Sequence, residues 1–116
     1  MQLICSSGSD EASEIAQQRL HHRILDRDEF KRGQYEKAII LGLKDIDDQL
    51  YERFKDGNND SAMCGCTVAL CLLNLTEGHL LVANLGDSPI ILGKRSDAKS
   101  EYNVVSIWPV LIMVML

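Results

Sequence analysis

Residues 65–94, GCTVALCLLNLTEGHLLVANLGDSPIILGK, constrain this chain more than any other stretch. Three short runs rich in Val, Ile and Leu are separated first by Thr76-Glu77-Gly78-His79 and then by Gly86-Asp87-Ser88. Apolar runs of this length bounded by turn formers predict successive strands. The expected arrangement is an antiparallel three-stranded meander with a loose first turn and a tight second one. In the first run Cys66, Val68, Leu70 and Leu72 alternate with Thr67, Ala69, Cys71 and Leu73, so neither face is polar. A strand apolar on both sides needs cover on both. The second run, residues 80–85, has the same character apart from Asn84. The second turn holds a carboxylate, Asp87, between a Gly and a Ser. A tight turn between buried strands restricts its motion, which makes Asp87 the leading candidate for placed chemistry.

The half of the chain before this stretch reads as helical. Residues 8–25 carry Ala12, Ile15, Ala16, Leu20 and Ile24 at steps of three and four, one apolar stripe. Ser9 is the expected cap, and Asp10 and Glu11 place negative charge where the first N–H groups point outward. Residues 26–33 form a charged connector around Phe30, with room for a helical turn. A longer helix is expected over 34–54, where Tyr35, Ile39, Leu43, Ile46, Leu50 and Phe54 continue one stripe. Residues 55–60, KDGNND, break it, with Gly57 as the stop. The fold class is therefore α+β, two amphipathic helices followed by an antiparallel meander. A fourth strand at the C-terminus is a further option.

Other residue groups that look chemical have plainer readings. His21 and His22 are adjacent and point about a third of a turn apart, as at a solvated helix end. Asp45, Asp47 and Asp48 suggest a cation cluster, but on a helix they diverge and read as a solvated face. Cys64 and Cys66 lack the second Cys or His pair of a zinc site, and Cys5 and Cys71 add none. Free thiols used for packing are expected. A net charge of −5 without a Lys/Arg run argues against nucleic acid as partner. The start, MQLICSSG, has neither the basic end nor the apolar length of a secretory signal. An intracellular chain, cytoplasmic or nuclear, is the expectation.

After a polar loop at 95–103, residues 104–116 read VVSIWPVLIMVML, interrupted by Pro109. Thirteen residues fall short of the roughly 20 needed to cross a bilayer as a helix. Exposed, such a tail is an aggregation hazard. Three readings stand: a strand completing the sheet, a contact with a membrane surface or partner, or non-native sequence from a truncated or misspliced message.

Gly65-Cys66-Thr67-Val68-Ala69 followed by Leu81-Val82-Ala83-Asn84-Leu85-Gly86-Asp87-Ser88 resembles the metal-dependent protein serine/threonine phosphatases of the 2C type. That family has a "G-[ST]-T-A" strand and then "L-x-V-A-N-x-G-D-S-R", in the same order and spacing. The likeness covers residues 8–94 and includes the two preceding helices. It implies a partial α-β-β-α sandwich of two stacked antiparallel sheets flanked by helices, which accounts for strands apolar on both faces.

The resemblance also implies an activity, hydrolysis of phosphoserine and phosphothreonine esters in protein substrates. Two Mg²⁺ or Mn²⁺ ions activate a bridging water there. The family's "D-G-H-G-G" metal motif falls at Cys5-Ser6-Ser7-Gly8-Ser9, and the Arg after Gly-Asp-Ser is Pro89. The family's earlier acidic ligand strand and its downstream aspartates have no counterpart in these residues. Only Asp87 carries over, onto an aspartate associated with an additional, weaker metal site. A turn role, accepting hydrogen bonds from nearby amides, is its alternative. Two readings follow: a phosphatase fragment that does not catalyse alone, or a non-catalytic interaction module docking through an open sheet edge and the apolar tail.

Overall fold

The apolar stripes place both long helices on one face of a sheet. The computed structural model describes residues 2–6, 10–56, 65–95 and 102–107. In chain order the elements are β1 (Gln2–Ser6), α1 (Asp10–Leu25), α2 (Asp28–Lys31), α3 (Tyr35–Phe54), β2 (Thr67–Asn74), β3 (His79–Leu85), β4 (Ile90–Arg95) and β5 (Tyr102–Ile107). Helices followed by antiparallel strands make the α+β class expected from the sequence. Ser9, Gly57, Cys64, Pro109, the loop 96–101 and the tail 108–116 lie outside the described residues, as do the side chains of Cys5 and Asp10.

Ala12, Ala16, Leu20 and Ile24 of α1 are fully buried, and with Ala38, Ile39, Ile46, Leu50 and Phe54 of α3 they form the core against the sheet. The sheet contributes Val68, Leu70, Leu81 and Ala83 to it. Gly42 lets the helices approach closely, since a Cβ there would stand 2.6 Å from Ile24 Cγ1. The charged connector does contain a helical turn, α2, and Phe30 on it meets the Tyr35 ring edge-on at 5.0 Å.

The first sheet has the order β1-β2-β3, antiparallel throughout, with Ser6 opposite Thr67 and Val68 opposite Leu85. The hairpin between β2 and β3 closes as expected, because Asn74 Oδ1 accepts the backbone N–H groups of Thr76 and Glu77. On the sheet face turned from the core, Val82 and Asn84 are also buried, at 2% and 0% exposure. Cover on both faces is what the two-sided apolar pattern demanded.

Two features depart from the sequence reading. The predicted meander ends after two of its strands: β4 does not pair with β3 but with β5, in a separate two-stranded sheet that sets Ile90 opposite Ile107. The four residues Gly86-Asp87-Ser88-Pro89 are not a hairpin turn. Gly86 takes φ of +103°, and Pro89 has no N–H to give a ladder. A run–turn–run pattern is the same whether a chain doubles back or changes sheet, so the pattern could not decide. The other departure is β1. Gln2–Ser6 contains only a two-residue aliphatic run, and its strand character comes from pairing with β2. Residues 102–107 form β5, which takes in the end of the expected polar loop and the first four residues of the apolar tail and belongs to the second sheet.

Candidate functional site

Several elements end together where β3 finishes. Ser6 pairs with Thr67, which begins β2, and Thr67 lies against Gly86, where β3 has just ended. Cys66 Sγ is 3.9 Å from the Ala12 carbonyl in the first turn of α1. Arg53, in the last turn of α3, donates from Nε to Glu11 Oε1 at 2.6 Å. The start of α1, the end of α3 and the Gly-Asp-Ser turn therefore share one end of the molecule.

Thr67 fastens the turn in two ways. Its Oγ1 is 2.7 Å from Ser88 Oγ, a hydrogen bond across 21 positions of chain. Its Cγ2 occupies the space a Cβ on Gly86 would need, at 2.5 Å. With φ of +103° in addition, residue 86 suits glycine alone. Asp87 is held between these two fixed neighbours. It is exposed, and among the described residues its carboxylate has no hydrogen-bond or ion-pair partner. Among the described residues no amide donates to it. A carboxylate left open on a fastened turn can take an external cation.

Among the described residues no group of three or more His, Cys, Asp or Glu side chains converges. Asp45 is engaged by Arg27, Asp48 accepts from Lys44 Nζ at 2.8 Å, and Asp47 is exposed, so the three acids of α3 do not converge. Asp48 in turn raises the Lys44 pKa above its usual 10.5 by accepting its hydrogen bond and by its charge. His21 and His22 lie at the end of α1 with ring centroids 4.0 Å apart, and Cys66 and Cys71 are free, half-buried thiols. A cavity of about 510 Å³ opens between α1, α3 and the start of β2, with Leu20, Tyr51, Phe54, Cys66 and Leu85 in its walls. Asp87 does not line it, and its mainly apolar walls suit a gap between packed layers rather than a cation.

The sequence model of protein phosphatase 2C matches residues 2–104. The chain belongs to the protein phosphatase 2C family. Individual 2C relatives agree. The chain is 29% identical over 92 residues to a protein phosphatase 2C homolog 2 of Aspergillus flavus, which covers 79% of this chain and 20% of that protein. The proteins of the same name from Hypocrea jecorina and Aspergillus fumigatus are 28% identical over 83% and 79% of this chain, and over 21% and 20% of their own lengths. The chain thus spans about a fifth of the length of the curated relatives it matches. No solved structure matches it significantly. In this chain Asp87 belongs to the Gly-Asp-Ser motif, and its carboxylate has no partner among the described residues. Thr67 and Ser88 were not singled out as a pair by the sequence, because two hydroxyls 21 positions apart leave no periodic signal.

Proposed function

We propose that this chain is part of a metal-dependent phosphatase acting on phosphoserine and phosphothreonine in proteins, and that Asp87 is a peripheral ligand for Mg²⁺ or Mn²⁺. The observation that carries this reading is the unpartnered Asp87 carboxylate on a turn fastened through Thr67 and Ser88, in a chain of the 2C family. The described residues do not fit a complete two-metal centre, since a hard cation needs several oxygens from the protein and Asp87 supplies one side chain. No hydrolytic step is therefore assigned to them. What they contribute is orientation: Gly86 and Thr67 set the backbone, and Asp87 is presented to solvent.

Mn²⁺ binding followed by water-proton relaxation, paired with a phosphopeptide hydrolysis assay, tests the proposal on the 116-residue chain. Weak Mn²⁺ binding that Asp87→Asn abolishes, without turnover, is the expected result. Turnover abolished by Asp87→Ala would show that further ligands complete the site and that the chain is an enzyme by itself. Binding unchanged in Asp87→Asn would remove Asp87 as a ligand.

A further inference from the structure

The far end of α1 carries a second polar constellation, unrelated to the Gly-Asp-Ser turn. α1 has 16 residues and so is roughly 24 Å long, and Gly42 of α3 crosses it at Arg23 and Ile24 in its last turn. There a cleft of about 480 Å³ is lined by Arg19, His22, Arg23, Asp26, Arg27 and Asp45. Arg19, His22 and Arg23 are spaced three and four apart, which sets them on one face of the helix. Asp45 reaches over from α3.

The charges are not evenly matched. Arg27 is tied down: it donates to Asp45, its NH2 lies 3.4 Å from the Leu41 carbonyl, and its NH1 lies 3.9 Å from Glu29. That consumes the Asp45 charge. Arg19 and Arg23 are exposed, and neither has an ion-pair partner among the described residues, although Asp26 stands in the same cleft. Two guanidinium groups and an imidazole thus face a single uncommitted carboxylate. The Nε–H of Arg27 is buried with no acceptor among the described residues, a donor left open beside them.

We propose that this cleft binds an oxyanion of the phosphate class. Planar guanidinium forks pair with tetrahedral oxyanions through two parallel N–H···O bonds, and two such forks one turn apart on a helix can hold one anion from two sides. A small cation is the poorer fit, because it would meet three positive side chains. The chain as a whole carries −5, so attraction is local, and binding weakens as salt rises. The anion can be free phosphate or a phosphorylated side chain of another protein; the chemistry is shared.

Inorganic phosphate titrated at constant ionic strength into the ¹⁵N-labelled full chain tests this. Saturable shifts centred on Arg19, His22, Arg23 and Arg27 are expected, with none from chloride. Arg19→Gln and Arg23→Gln each weaken binding about tenfold, as loss of a charge-assisted hydrogen bond does. Asp26→Asn tightens it. These three side chains are exposed, so the variants fold as the parent does. A phosphoserine peptide that binds tighter than both phosphate and its unphosphorylated form identifies a protein-borne anion. Equal affinity for phosphate and phosphopeptide identifies the free one. Shifts that never saturate, that chloride reproduces, or that survive the double Arg19→Gln/Arg23→Gln change overturn the proposal, as does weaker binding in Asp26→Asn.

Discussion

Gly42 of α3 stands so close to Ile24 of α1 that a single added methyl group would fall 2.6 Å from Ile24 Cγ1 and 3.5 Å from the Arg23 carbonyl carbon. Ile24 is fully buried and has no room to turn away. Gly42→Ala gains up to about 1 kcal/mol in helix propensity, but overpacking a tight core costs about 1–3 kcal/mol. The steric term wins. Urea denaturation should show a net loss of up to about 2 kcal/mol, and a more stable Gly42→Ala chain would mean that the helices can part freely.

Thr67 and Gly86 should behave as one unit. Thr67→Val keeps the bulk against Gly86 and removes the hydroxyl that meets Ser88, costing about 1 kcal/mol. Gly86→Ala combines an unfavourable φ of +103° with the collision against Thr67 and should cost about 2–3 kcal/mol. Adding Thr67→Ala to Gly86→Ala removes the 2.5 Å contact with Cγ2 but leaves the one with Cβ at 2.9 Å and the backbone strain. The double-mutant cycle should therefore show a coupling of at least about 0.5 kcal/mol. Strict additivity would deny the contact.

Asp87→Asn should leave stability within about 0.5 kcal/mol, as expected for an exposed side chain without a partner. Under the proposed role the same change removes Mn²⁺ binding. Denaturation and metal titration of one variant separate the two effects, and a large loss of stability would assign Asp87 to the fold instead.

Asn84 is fully buried on the sheet face turned from the core, and among the described residues neither its Oδ1 nor its Nδ2 has a hydrogen-bond partner. Exchanging an unsatisfied buried amide for an apolar side chain is neutral or favourable. Asn84→Val should leave stability unchanged or raise it by about 1 kcal/mol. Destabilisation by more than that would reveal a partner for the amide.

Lys44 gives the pH response. Its folded pKa is raised by Asp48, so the pair's contribution is intact below the usual 10.5 and is lost as pH rises through the higher folded value. Followed by NMR at the ε-carbon, Lys44 should titrate above 10.5, and Asp48→Asn should bring it back down.

The helical half of the fold was legible because it rests on local periodicity. Most residues of the stripes in α1 and α3 are buried, with Ile15, Tyr35 and Leu43 partly so, and alternation along β2 and β3 likewise marked strands that need cover on both faces. The motif around Asp87 was legible too, since it is contiguous. Pairing was not. That β1 adds to β2, that β4 leaves β3 for β5, and that Thr67 meets Ser88 are relations between distant positions, and a one-dimensional pattern does not distinguish a strand that turns back from one that changes sheet. The same holds for the acids of α3. Their spacing showed that they diverge, but only the packing of α1 and α2 against α3 brought Arg27 to Asp45 and left Arg19 and Arg23 facing an open cleft. Short-range order follows from side-chain periodicity along the chain, whereas strand partners and charge partners follow from which surfaces meet when the apolar faces are buried.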